Sequence, residues 1–406
     1  MTRKGVWNLQ QTRDKYLQSL WANDINLYGL GYNANGTLGN NTRDATYPGY
    51  SSPIQIGTNT NWRSLDNKNS YGTSYFMVAS KTDGTLWSWG LNSYGQLGQN
   101  GNELSTIRIS SPTQIGSGTD WSNEISRGDV FASAIKTDGT LWMWGQNQHG
   151  ALGQNLGGTP ASLSSPVQIP GTWSKAYPGQ SATVAIKTNG ELWMWGVNTS
   201  GQLGQNSISS SFGGYSSPVQ VPGTTWSKAD VGNKHTLAIK TDGTLWAWGD
   251  GSAGPLGQNQ PNTADYSSPV QIPGTNWSDC WSGAYQSFAT KTDGTLWSWG
   301  ANPKGSLGQN QNQSALDNAS SPIQIGSETT WSKFSFFNSQ GWWAIKTDGT
   351  LWGCGKLDNG TGLYIPTPDN GYSSPIQISS DARWDSITSW GAGAHALKAT
   401  LTPSQL

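Results

Sequence analysis

Three histidines (His149, His235, His395) and two cysteines (Cys280, Cys354) are the side chains best suited to nucleophilic, acid-base or metal chemistry in this 406-residue chain. They are scattered, with no CxxC pair and no histidine beside a cysteine, so the spacing of a zinc framework is absent and no metal site is expected. Cys354 has no His or Lys beside it to activate a thiolate. Lys and Asp recur in pairs, as Lys81 with Asp83 and Lys240 with Asp242, but they flank Asp-Gly turns and read as solvated or weakly paired groups, not an acid-base set. The glycine-rich loops GQLGQN (95–100 and 201–206) and GALGQN (150–155) suggest a phosphate cradle, yet no GKS or GKT and no helix start follows them. No catalytic residue and no cofactor is expected. An enzyme would require carboxylates gathered from several units.

These residues recur because the sequence repeats, and the period governs everything else. KTDGTLWSWG (81–90) returns at 136, 187, 240, 291 and 346, ending there as LWGCG, and a degenerate copy, INLYGLG, stands at 25–31. SSP followed by an alternating apolar run occurs seven times, from SSPIQI at 51 to SSPIQI at 373. A lone Trp follows each, at 62, 121, 173, 226, 277, 331 and 384. Within one unit, HTLAIKTDGTLWAWG (235–249) reads as two strands around an Asp-Gly turn. SSPxQI is a third strand, with Pro at its start, and the lone Trp opens a fourth.

Four strands per unit, tight turns and no helical period point to the radially repeated sheets of a β-propeller. The chain opens on a second hairpin strand that lacks its partners and ends, after Trp384, on DSITSWGAGAHALKATL, which supplies them. The expected fold is therefore all-β: seven four-stranded antiparallel blades, the last built from both chain ends, which removes the open edge of a sheet. Residues 25–406 form the propeller and residues 1–24 an attachment segment. In that segment Leu9, Tyr16, Leu17, Leu20 and Trp21, with Trp7 ahead of them, share a stripe on a short helical strap.

Trp pairs such as Trp87 and Trp89 lie two apart, on one face of a strand, and are expected to fill the gaps between blades. Tyr28 and Leu30 replace the pair in the first fragment and Cys354 replaces one Trp near the end, so a different neighbour is expected there: the N-terminal segment or a compensating change. The connections after each lone Trp vary and should converge on one face, carrying Tyr71, Tyr75, Phe131, Tyr177, Lys234, His235, Trp281, Tyr285, Phe337, Trp342 and Trp390. Such aromatics either form a protein-interface hot region or plug the central channel. The longer inserts, 40–50, 207–215 and 357–372, are expected on the opposite face.

A net charge of -1 disfavours a phosphate-neutralising nucleic-acid binder, and no apolar stretch approaches a membrane span. The units TLAIKTDGTLWAWGDGSAGPLGQN (236–259) and SSPVQIPGTNWS (267–278) closely resemble the bacterial form of the regulator of chromosome condensation repeat, over about residues 25–400. That resemblance implies the seven-bladed fold and a binding role. The founder of the family is an exchange factor for a small nuclear GTPase that binds chromatin through a basic tail, for which Arg3 and Lys4 are a poor substitute. A secreted bacterial relative in repeat style inhibits β-lactamase by docking loops of one face. GVWNLQ (5–10) with a Trp 14 residues after Trp7 is similar to the openings of tailed-phage structural proteins; the bland reading is a helix capping the propeller's own edge. The expectation is a non-enzymatic structural and interaction module of a phage virion, with other virion proteins or a host-surface receptor as partners. The alternatives are a bacterial binding or inhibitor protein, cytoplasmic or extracellular, and a GTPase exchange factor.

Overall fold

In the computed structural model, residues 24–43, 49–66, 68, 74–100, 108–156, 161–210, 213–259, 265–311, 314–337, 340–357, 371–379, 381–390 and 393–400 are described. The proposed strap, with Trp7, Leu9, Tyr16, Leu17, Leu20 and Trp21, lies outside them, as does Tyr71. The described residues form seven four-stranded antiparallel sheets and two one-turn 3-10 segments. Blade 1 comprises Trp62–Leu65, Phe76–Lys81, Leu86–Leu91 and Arg108–Gln114, paired in that order. Blades 2 to 6 begin in the same way at Trp121, Trp173, Trp226, Trp277 and Trp331. The lone Trp thus opens the first, innermost strand of each blade.

Blade 7 joins the chain ends: Trp384–Trp390 and Gly393–Thr400 from one, Asp24–Gly31 and Tyr50–Gln55 from the other. Its central seam is unbroken from Asp24 opposite Thr400 to Gly31 opposite Gly393. Closure follows from antiparallel pairing, since a half-blade at each end leaves donors and acceptors that only the other half satisfies.

The hairpin turns form because their side chains replace lost ladder bonds. Asp83 Oδ1 accepts from the Thr85 amide at 3.0 Å and its hydroxyl at 2.6 Å, and the Trp87 indole N–H donates to Thr85 Oγ1 at 2.7 Å. These bonds hold the Asp83 carboxyl below the usual range. Gly84 sits at φ +78°, where an added Cβ would lie 2.0 Å from the Thr119 carbonyl oxygen, so glycine is required. Lys81 is not solvated, contrary to expectation. It is buried, with Nζ 3.7 Å from the centre of the Trp87 ring and 4.8 Å from that of Trp62.

The two Trp of each pair do different work. Trp87 is half-buried over Lys81, whereas Trp89 is fully buried and donates its N–H to the Thr37 carbonyl of the preceding blade's glycine-rich loop at 2.7 Å. The same bond recurs from Trp144 to Gln96, Trp195 to Ala151, Trp248 to Gln202 and Trp299 to Pro255. Gly98 at φ +65° leaves room for the Trp144 ring, 3.0 Å from where a Cβ would stand. The loops are therefore architecture: they seat the next blade's indole.

Blade 6 breaks the pattern at Cys354, and the compensating change is Trp342. It stands directly across the sheet from Cys354, is fully buried, and donates to the Ser306 carbonyl at 2.8 Å, the bond the missing Trp would have made. In blade 7 the place of Leu30 is packed by Trp343 of blade 6, which fits because Gly353 behind it has no side chain.

Candidate functional site

In an antiparallel four-stranded blade the first-to-second and third-to-fourth connections leave from the same end. The inserts at 40–50, 207–215 and 357–372 join third to fourth strands, so they share a face with the connections after the inner strands, not the opposite one. Residues 44–48, 211–212 and 358–370 of those inserts lie outside the described residues. The other face carries the Asp-Gly turns, together with Asp24 and Thr400.

Most of the aromatics expected on the connections are not on them. The connections are three residues long at 128–130, 179–181, 232–234 and 283–285, so most of the predicted residues, though not Lys234 and Tyr285, fall inside strands whose alternation turns them inward. Phe131 and Trp342 are buried in seams between blades, and His235 donates to or accepts from Ser287 of the next blade at 3.0 Å. Trp390 is buried against His395, ring centres 4.6 Å apart. Tyr177 and Trp281 line the central channel. Phe337 ends an inner strand, and its side chain lies outside what is described. Tyr75 is half-buried, and only Lys234 and Tyr285 are exposed, the latter by 39%.

What does reach solvent on that face lies mostly further out. Six large apolar side chains are exposed among the described residues, and five of them, Tyr94, Leu156, Ile208, Tyr215 and Tyr285, stand at its connections or strand ends. The sixth, Ile323, is on an outer strand near the opposite end.

The channel is closed by polar side chains that the repeat period alone does not single out. Lys68 crosses the axis from blade 1 to donate to the Cys280 carbonyl at 2.6 Å, the Ala229 carbonyl at 3.2 Å and Asp279 Oδ1 at 3.0 Å. Its Nζ lies 5.1 Å from the centre of the Tyr177 ring and 5.6 Å from that of Trp281. Burial works against this ammonium, but Asp279 beside it keeps its pKa above the ordinary value. Burial likewise opposes the Asp279 carboxylate, and Lys68 and Lys228 hold it below the usual range. The side chain of Asp279 keeps 28% of its surface exposed towards the cavity, so screening moderates both effects.

A second network binds the ring together. Arg127 of blade 2 is fully buried; Nε donates to Asp66 Oδ2 at 3.0 Å, Nη1 to Ser74 Oγ and the Phe76 carbonyl, and Nη2 to Thr388 Oγ1 and the Ser389 carbonyl of blade 7. Blades 1, 2 and 7 thus share one guanidinium. The sequence marks part of this wall just beyond each lone Trp, where the repeat stops repeating: Lys175, Lys228, Asp279 and Lys333 two residues on and Glu124 three on at one level, Asp66, Tyr177, Asp230 and Trp281 four on at the next; Lys68 and Arg127 each lie six residues beyond their lone Trp.

This chemistry is that of bracing. Burial lowers His235 to about 4 and His395 to about 3, so both rings are neutral near pH 7. Burial pushes the Cys280 thiol up to about 12 and raises that of Cys354 as well, which removes thiolate character. Among the described residues no group of three His, Cys, Asp or Glu is placed to hold a metal ion, and no helix is long and apolar enough to cross a membrane.

Comparison with known proteins agrees with this architecture. The regulator of chromosome condensation (RCC1) repeat matches residues 83–132, 138–186, 189–239 and 242–290, and a second form of that repeat matches 226–254. The RCC1 domain-containing protein RUG3 of Arabidopsis thaliana is 29% identical over 235 residues, 55% of this chain and 51% of that protein. The ultraviolet-B receptor UVR8 of the same plant is 27% identical over 266 residues, 63% of this chain and 56% of the receptor. The chain thus spans about half the length of these curated relatives. Prp20p from Saccharomyces cerevisiae superposes with a TM-score of 0.77 at 16% identity, over 100% of this chain and 98% of its own, which shows the shared fold. Seven closed blades, six of their seams keyed by an indole seated on the neighbour's loop, and four direct repeat matches together make this chain a member of the RCC1 repeat family.

Proposed function

We propose that the chain is a non-enzymatic protein-docking propeller that takes its partner on the face bearing the inner-strand and third-to-fourth-strand connections. The observation that carries this reading is the segregation of exposed apolar side chains: five of six among the described residues are on that face. Scattered surface hydrophobics would fall on both faces alike, and aromatic side chains on connections of a rigid scaffold suit a protein interface. The neutral buried histidines and paired channel carboxylates support a binding role over an acid-base one.

The test is a triple variant, Tyr94→Ser, Tyr215→Ser and Tyr285→Ser, compared with Lys240→Ala on the turn face. The triple variant should lose at least about tenfold in affinity for any partner identified with the wild type, since truncating a few central aromatics removes most interface energy. Its thermal midpoint should stay within a degree or two of the wild type. Undiminished binding by the triple variant refutes the reading.

Two finer forms follow from different sources. Nucleotide exchange on a small GTPase is the form the repeat family favours, Prp20p being a protein described for its binding to Gsp1p and histones. Its test is release of labelled GDP from small GTPases by the wild type and by the triple variant. Attachment to a virion through residues 1–24, with other virion proteins or a host-surface receptor as partners, rests on sequence pattern alone. There, deletion of residues 1–23 should abolish incorporation into particles while leaving the propeller folded.

A further inference from the structure

The channel holds a cavity of about 240 Å³ whose walls come from all seven inner strands or the residues just beyond them. Positions that serve the blade recur around the ring, such as the lone Trp and, in five blades, the Ser after it. The next position does not recur. It carries Lys175, Lys228 and Lys333 in blades 3, 4 and 6 and Ser386 in blade 7, all lining the cavity. A purely structural role would be met by the same small residue throughout, because gathering ammonium groups around an axis costs solvation and mutual repulsion.

The charges there do not balance. Glu124 is paired with Lys175 at 3.0 Å, and Asp279 is divided between Lys68 at 3.0 Å and Lys228 at 3.5 Å. Asp66 is taken by Arg127, and Asp230, behind the wall, accepts from the Ser282 amide at 2.8 Å. Lys333 has no ion-pair partner among the described residues. With the Arg127–Asp66 pair set aside, four ammoniums (Lys68, Lys175, Lys228 and Lys333) thus face two carboxylates (Glu124 and Asp279), with one further carboxylate, Asp230, behind the wall. An independent observation points the same way: Ser386 Oγ is enclosed in the cavity wall with no hydrogen-bond partner among the described residues, a donor left over.

We propose that this axial cavity is an oxyanion site, in which Lys228, Lys333 and Ser386 hold one phosphate or carboxylate group. A phosphate or carboxylate group is small enough for the space, and charge-assisted bonds from two ammoniums and a hydroxyl supply what the group needs. The anion is either free in solution or the end of an acidic side chain from a docked protein; the chemistry at the axis is the same.

The test uses the full chain at low ionic strength, titrated calorimetrically with inorganic phosphate and, separately, with an alanine-rich peptide bearing a single glutamate. Saturable binding of either supports the site, with the tighter ligand showing which source it serves. In Lys333→Gln that binding should weaken by about tenfold or more, the loss expected for one charge-assisted bond. Lys333 is exposed and unpaired, so the variant should keep the wild-type thermal midpoint. Lys356→Gln, outside the cavity lining, should bind as the wild type does. No saturable binding of either ligand, or equal binding by wild type and Lys333→Gln, overturns the proposal.

Discussion

Replacing Lys68 by Met would remove the one ammonium that spans the axis while keeping a side chain of similar length. Three acceptors lose their donor: the Cys280 carbonyl, the Ala229 carbonyl and Asp279 Oδ1, now 2.6, 3.2 and 3.0 Å from Nζ. Breaking a buried ion pair from one side costs about 3–5 kcal/mol, chiefly because the remaining charge is left uncompensated. Here Asp279 retains Lys228 at 3.5 Å and partial exposure, which places the cost at the lower end, about 3 kcal/mol. For a chain of this size that corresponds to a fall of about 4 °C in thermal midpoint. Adding Asp279→Asn removes the stranded charge, so the double variant should lie closer to the wild type than Lys68→Met alone. Urea or thermal unfolding of the four proteins of this cycle measures the coupling directly. Single and double variants that are equally unstable, or a Lys68→Met loss under about 0.5 kcal/mol, would mean that Lys68 is a bystander to its contacts.

The seam of blade 6 offers a swap. Trp342→Ala should cost about 3–5 kcal/mol as a buried-aromatic deletion, whereas Trp342→Met with Cys354→Trp rebuilds the Met77–Trp89 cross-strand pair of blade 1 and should recover most of that loss in unfolding experiments. Acid sensitivity should centre partly on His235. Its folded value of about 4 lies below the ordinary 6.5, so the unfolded state takes up the proton first and stability falls between pH 6.5 and 4, by about 3 kcal/mol in all. His235→Gln should flatten the unfolding-midpoint profile across that window; an unchanged profile would mean that the ring is not neutral in the fold. Asp242→Ala removes the bonds to the Thr244 amide and hydroxyl at 2.9 and 2.7 Å and should lower the thermal midpoint slightly without affecting binding of any partner.

The number of blades, their strand count, the closing of the ring by both termini and the structural purpose of the glycine-rich loops are legible in the residues, because each rests on a local rule repeated seven times. The Asp-Gly turn needs a positive φ, Trp residues two apart share a face, and a half-blade needs its complement. Burial at the inner connections is not legible, because their length is not: three residues leave no loop for Phe131 or His235 to occupy. The face of the long inserts is set only in the fold, because it depends on which strand opens the blade, and the repeated motif, which starts at the hairpin, does not mark that strand.

Periodic chemistry, then, belongs to the sequence: each of blades 1 to 6 carries its own turn, its lone Trp and its lysine, so one unit explains six and the chain ends supply the seventh. What only the folded ring decides is the meeting of positions that do not repeat, Lys68 with Asp279 across 211 residues and Arg127 with Ser389 across 262. Closure brings seven unlike side chains to one axis, and their charges acquire a purpose only when burial and mutual distance set which of them are compensated and which are left to attract a ligand.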